Sequence, residues 1–323
     1  MIVPYELRLL CLCLASFFLI HLALSVFANA LAPWAIRRAE RGAQGKAARP
    51  AAVMLLTLRL FPAVLSLAAV AALCVPSFLS FESERGAEAA GMAFLVAAAL
   101  GASVWAISLT RSLRALVRSH RHVPRRSAIV EGESETVWLW EGAAPLIGLA
   151  GVLRPRVVVS PSVASVLDAD QLAAALRHER AHRASGDNLK RLLLLLAPDA
   201  LPCVSLFRPV DLAWARFAEW AADDWAVTQD AHSSIALAEA LVRVARLGIA
   251  ARTSPLMSAF VPPGEDITTR VDRLLDGVSY DGGNSRILGA PLFAALVAIP
   301  FAIVALAPGS LSAVHQLLER LMH

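Results

Sequence analysis

Asp168-Ala-Asp-Gln-Leu-Ala-Ala-Ala-Leu-Arg-His178-Glu179-Arg180-Ala181-His182-Arg-Ala-Ser-Gly186 reads as a helix with a signal at each end. Asp168 with Gln171 three residues on is a capping signature. It predicts a helix through Arg183, and Gly186 supplies a natural stop. Residues four apart on a helix share a face, so His178 and His182 converge on one ion. Neutral imidazole is a good zinc donor. Glu179 projects beside the position of a bound water, where a carboxylate can take a proton and later deliver it to a leaving amine.

Three protein ligands and an open fourth position make such a site catalytic. Glu219-Trp-Ala-Ala-Asp223 lies on a second predicted helix, with Asp211 as its expected cap and Thr228 as its expected end. In that register Glu219 and Asp223 share a face. Glu219 is the expected third ligand of one zinc per chain, and Asp223 is expected to hold a ligating imidazole by its free N–H. Asp187, just beyond His182, can buttress the first helix or a histidine. Asp224 is expected to face solvent. Taken alone, Glu219 and Asp223 would more often be solvated helix charges; the two motifs together point to a metal. For the tetrahedral intermediate, His232, Arg216, Arg252 and Tyr280 are candidate stabilisers, and none stands out.

Around these helices the sequence supplies strands and further helices. Thr136–Trp140 alternates, Pro145–Gly148 is followed by Gly151, and Arg156–Val159 is a β-branched run closed by Ser160-Pro161. The edge of the strand ending near Val159 is the expected platform for a peptide bound as an added strand. Asn188–Leu196, Ser233–Gly248 and Thr268–Leu275 read as helices. Residues 110–286 thus form one α+β domain of a size that supports a single core.

The rest of the chain is a different kind of sequence. Of 323 residues, 57% are hydrophobic and 17% charged, against about 45–50% and about 25% in soluble domains. Mean hydropathy is +0.60. An ordinary soluble enzyme and a disordered chain are both excluded. Four stretches match the roughly 20 residues that a spanning helix needs: Leu9–Leu31, Leu60–Phe81, Ala89–Leu109 and Ile287–Pro308. The first reads as a retained span, not a signal peptide. His21, near its middle, is expected to face the bundle. Arg59 is expected to snorkel. Cys11, Cys13 and Cys74 lie in apolar runs and Cys203 elsewhere, so no thiolate metal site is expected.

Orientation follows Lys and Arg. Arg37, Arg38, Arg41, Lys46 and Arg49 fill the first loop, and Arg111, Arg114, Arg118, Arg121, Arg125 and Arg126 follow the third span. The second loop carries Glu82, Glu84 and Glu88 against Arg85. The expected topology puts the domain in the cytoplasm and both termini outside. Residues 1–109 then form a three-span region, and residues 287–323 a fourth span with a short outer tail. The Arg111–Arg126 cluster reads as an anchor on anionic membrane lipid, and the net charge of +4 argues for no direct nucleic acid partner.

This order of spans, H-E-x-x-H domain and last span resembles the BlaR/MecR-type antirepressor membrane zinc metallopeptidases. The resemblance runs to about Pro308. It is carried by Pro145-Leu-Ile-Gly-Leu, Arg154-Pro-Arg-Val-Val-Val-Ser160, Leu176-Arg-His-Glu-Arg-Ala-His182 with Asp187-Asn-Leu189, Glu219-x-x-Ala-Asp-Asp224, Ser234–Ala245 and Arg270-Val-Asp-Arg-Leu-Leu275. The zinc motifs alone are shared with the HtpX/CAAX-processing type. The resemblance implies a zincin-like (gluzincin-like) peptidase domain in a bacterial inner membrane, with His178, His182 and Glu219 on zinc and Glu179 as base. It also implies a cytoplasmic winged-helix transcriptional repressor as substrate or partner. The best-known members add a penicillin-binding sensor after the last span. Here no Ser-x-x-Lys motif follows that span, so the signal is expected from a separate sensor protein, the membrane or the acidic loop. The alternatives are a non-catalytic signal-transducing scaffold and a quality-control protease accepting many unfolded membrane proteins.

Overall fold

The structure, a computed structural model, describes residues 2–44, 47–82, 88–89, 91–121, 127–129, 136–140, 145–201, 205–227, 231–248, 256, 258–261, 267–276, 307 and 309–322. Its first half is a bundle of three long helices. They are α1 (Tyr5–Ala43), α2 (Arg49–Ala69) running through a π-turn at Val70–Cys74 into α3 (Val75–Phe81), and α4 (Met92–Arg121). All three are long and apolar enough to cross a membrane. The expected fourth span, Ile287–Pro308, falls almost wholly outside the described residues. Short strands β1 (Ile2–Val3) and β2 (Glu88–Ala89), the latter between α3 and α4 in the chain, pair antiparallel.

Small residues let the bundle close. A Cβ at Gly101 of α4 would stand 2.3 Å from the Leu14 carbonyl oxygen of α1, so only glycine fits that crossing. Beyond the crossing, alanines 28, 32, 35, 39 and 43 make a small-residue stripe on α1. They pack with Ala48 and Leu55 against Phe207, Val210, Trp214 and Phe217. The first two long helices thereby seat a helix of the second half directly.

That second half is mixed α and β. Strands β3 (Ser127–Ile129), β4 (Thr136–Leu139), β5 (Ile147–Ala150), β6 (Arg156–Val159) and β7 (Ser258–Ala259) form a sheet in the order β3-β4-β6-β5-β7. The β4–β6 pairing is parallel and the others antiparallel. The strand ending at Val159 is therefore interior, paired on both sides, and offers no free edge to a peptide. The outer side of β5 is used as well. Phe260 N–H donates to Ile147 O at 3.1 Å, and Asn188 Nδ2 donates to Leu149 O at 3.0 Å and Gly151 O at 2.6 Å.

After a short α5 (Pro161–Ala164) come α6 (Ala169–Ser185), α7 (Asp187–Leu196), α8 (Arg208–Ala226), α9 (Ala231–Arg246) and α10 (Ile267–Leu275). One sheet face buries Ile147, Leu149, Val157 and Val159 against Ala174 and Ala175 of α6 and Leu237 and Leu241 of α9. The helix read from Asp211 begins earlier, at Arg208. Pro209 sits in its first turn, where a missing N–H costs nothing, and Asp211 lies inside. The last helix, α11 (Ser310–Met322), packs Leu318 and Met322 with Phe78 and Phe94, at the bundle end away from α8.

Two expectations about charges are corrected. Arg59 does not snorkel: it is 1% exposed and its guanidinium pairs with Asp199 at 3.1 Å and Asp211 at 3.2 Å. Asp224 does not face solvent. Its carboxylate accepts from Ala48 N–H at 2.8 Å and Arg273 Nη2 at 3.1 Å, tying α8 to the start of α2 and to α10.

Candidate metal centre

The capping box read at Asp168 is present. Gln171 N–H donates to Asp168 Oδ1 at 3.0 Å, and the Gln171 side chain accepts from Asp168 N–H at 3.3 Å. At the other end Gly186 takes φ 68°, a left-handed conformation that favours glycine. This one residue stops α6 and starts α7, so Asp187 comes back beneath the last turn of α6. His182 Nδ1 then lies 2.7 Å from Asp187 Oδ2. Lys190 Nζ holds the other oxygen at 2.7 Å.

Helix α8 crosses α6 and brings Glu219 and Asp223 to the same place. His178 Nδ1 lies 2.9 Å from Asp223 Oδ1. Each imidazole thus has its Nδ1 beside a carboxylate, an arrangement that would keep the proton on Nδ1 and give the Nε2 lone pair to a bound ion. The two Nε2 atoms are 3.1 Å apart, and Glu219 Oε2 is 3.4 Å from each. A tetrahedral ion bound at about 2.0–2.1 Å to N and O donors has donor–donor edges of about 3.3 Å. The three residues therefore fit a metal ion, and their ligand atoms form a compact His178–His182–Glu219 group. His178, Glu179 and His182 are fully buried, and Glu219 is nearly so. The Phe260 ring meets His178 edge-on at 5.1 Å.

The electrostatics are those of a cation site. Burial alone would drive the His182 proton off, but Glu219 and Asp187 outweigh it and push the pKa up to about 10. His178 is raised too, with Asp223 and Glu219 overcoming the same desolvation. Burial would raise the Glu219 carboxyl, yet the two imidazoles and Arg270 hold it well below its ordinary value. Asp223, with Arg270 and His178 opposing desolvation, is lowered as well. Without an ion this pocket asks for positive charge.

Sequence reading missed the residue that ties the group together. Arg270 of α10 is 1% exposed. Its Nε and Nη2 reach Asp223 Oδ2 and Oδ1 at 2.8 and 2.6 Å. Its Nη1 is 3.5 Å from Glu219 Oε2 and donates to Phe260 O at 2.9 Å. Arg191 of α7 takes the other Glu219 oxygen at 3.4 Å. The one sequence signal was the Arg270-Val-Asp-Arg273 stretch, which gave both arginines that grip α8 without assigning either a task. Among the suggested stabilisers, Arg216 pairs with Glu40 at 2.7 Å and the exposed His232 with Asp170 at 3.3 Å. Arg252 and Tyr280 lie outside the described residues.

No family model, curated protein or solved structure matches the chain. The functional reading rests on the residues.

Proposed function

We propose that this chain is a membrane-bound zinc endopeptidase. The observation that carries the reading is the buried His178–His182–Glu219 triangle with Glu179 beside it in the same helix turn. A site with structural duty alone has no use for a buried carboxylate next to its ligands. Zinc, when bound, supplies Lewis acidity for the scissile carbonyl and the attacking water. The chain supplies the rest. Asp223 and Asp187 orient the two imidazoles, and Arg270 and Arg191 grip opposite oxygens of Glu219. Glu179 takes the proton of the attacking water on its carboxylate and returns it to the leaving nitrogen.

The zincin-like domain then faces the cytoplasm of a bacterial cell, as the arginine-rich loops argue. Its substrate is a cytoplasmic regulator such as a winged-helix repressor, a reading that comes from the family resemblance. The deciding experiment is zinc content of the detergent-purified chain beside Glu219→Ala, His178→Ala and Glu179→Ala. It is paired with N-terminal proteomics of cells carrying wild type or Glu179→Ala. About one zinc per wild-type chain is expected, lost or weakened in the first two variants and kept in the third. New protein N-termini should appear only with wild type. A zinc-free wild type after reconstitution overturns the reading in favour of a scaffold.

A further inference from the structure

The C-terminal end of α7 has its carbonyls satisfied in an unusual way. An α-helix leaves its last four C=O groups without partners of its own, and water usually serves them. Here side chains from three long helices do so. Arg59 Nη2 of α2 donates to Leu194 O at 3.5 Å and Ala197 O at 3.2 Å. Ser108 Oγ of α4 donates to Leu195 O and Leu196 O. His21 Nε2 of α1 lies 3.1 Å from Pro198 O. Five successive carbonyls, Leu194 to Pro198, are thus engaged by protein side chains. Inside a bilayer this is obligatory, because no water is there to substitute.

The level at which this happens is also telling. His21 is sixteen residues past Tyr5, Ser108 sixteen past Met92, and Arg59 twenty-two before Phe81. At 1.5 Å per residue these are about 24 to 33 Å from the far end of the bundle. One hydrocarbon core is about 30 Å thick. The turn after α7 therefore meets the bundle where a membrane would end. The side of α7 turned from the bundle carries Leu189 and Leu193, one helical turn apart, and the turn adds Leu201. They are 42%, 39% and 40% exposed.

We propose that α7 and the turn Ala197–Leu201 dip into the domain-side leaflet as a re-entrant element, with Leu193 and Leu201 against lipid acyl chains and Leu189 nearer the headgroups. Asp187, which holds His182, opens this ten-residue helix, so about 15 Å of helix separates that carboxylate from the inserted turn. The insertion does not depend on the peptidase reading, since it rests on the carbonyls and the leucines.

The test is spin labelling of the full chain in phosphatidylcholine/phosphatidylglycerol nanodiscs, with the four native cysteines replaced by alanine. Single cysteines go in at Leu193, Leu201 and, as an aqueous control, Leu153, which is 86% exposed. Collision rates with dissolved oxygen and with a water-soluble nickel chelate are compared. The expected result is an oxygen-to-nickel ratio several-fold higher at 193 and 201 than at 153. Nickel access at 193 and 201 equal to that at 153 overturns the proposal. So does low access of both reagents, which would mean that protein covers the face. A melting curve matching that of the unlabelled chain shows that each variant is folded; should Leu193→Cys fail that check, the ratio at 201 decides.

Discussion

Arg270 grips Asp223 through two parallel hydrogen bonds, at 2.8 and 2.6 Å, and Asp223 in turn lies 2.9 Å from His178. A carboxylate so held is fixed, and its charge is set against Nδ1 of that imidazole. Arg270→Met should therefore weaken zinc binding by about 10–100-fold, the usual cost of losing a group that orients a ligand. Arg270→Lys, which keeps the charge and loses the fork, should fall between. Chelator competition on the purified protein measures both, and wild-type affinity in Arg270→Met would show that Asp223 needs no such support.

Metal removal should destabilise the fold. The candidate ligands come from α6 and α8, which pack on each other, so an ion bound only to the folded chain adds stability by mass action. This amounts to about 2.7 kcal/mol at a free concentration one hundred times Kd. A chelator should lower the Tm of wild type, and added zinc should restore it. His182→Ala should melt at one temperature with and without chelator. A chelator response in that variant would place the metal elsewhere.

How much of this was legible in the sequence depends on the range of each interaction. The α6 helix announces itself because its capping box and its Gly186 stop are local, and the spacing of His178 and His182 needs only helical geometry. Glu219 and Asp223 follow by the same periodicity. Arg270 was not legible, since nothing local separates a buried arginine on an amphipathic helix from a solvated one. Arg59 and Asp224 were misread for the same reason. Their partners, Asp199 and Ala48, arrive from distant parts of the chain. The edge expected at Val159 vanished because strand order, here a parallel β4–β6 pairing, is a tertiary fact.

The α1–α4 crossing makes a sharper demand than any side chain in it. A methyl on Gly101 would sit 2.3 Å from the Leu14 oxygen, a backbone atom that cannot swing away. Gly101→Ala must push the two helices apart, at a cost of about 1–3 kcal/mol typical of overpacking. A lowered Tm in detergent, with zinc content unchanged, is the expected outcome. An unaltered Tm would show that the crossing is loose.

Asp211 gives the pH dependence its clearest sign. Burial raises its carboxyl, Arg59 only partly opposes this, and Asp199 adds repulsion, so the pKa is pushed up to about 6. In the unfolded chain an aspartate titrates near about 4. The folded protein thus binds this proton more tightly than the unfolded one. The contribution to stability is full below about pH 4 and is lost as pH rises through about 6. Asp211→Asn has no proton to lose, and its remaining neighbours keep Arg59 paired through Asp199. The Tm of the variant minus that of wild type should climb from pH 4 to pH 7 and level off above. Because the side chain is 36% exposed, solvent screening will make that climb shallower than for a fully buried acid. A difference that is flat across this range, or that falls, would mean that Arg59 holds Asp211 ionised at every pH tested.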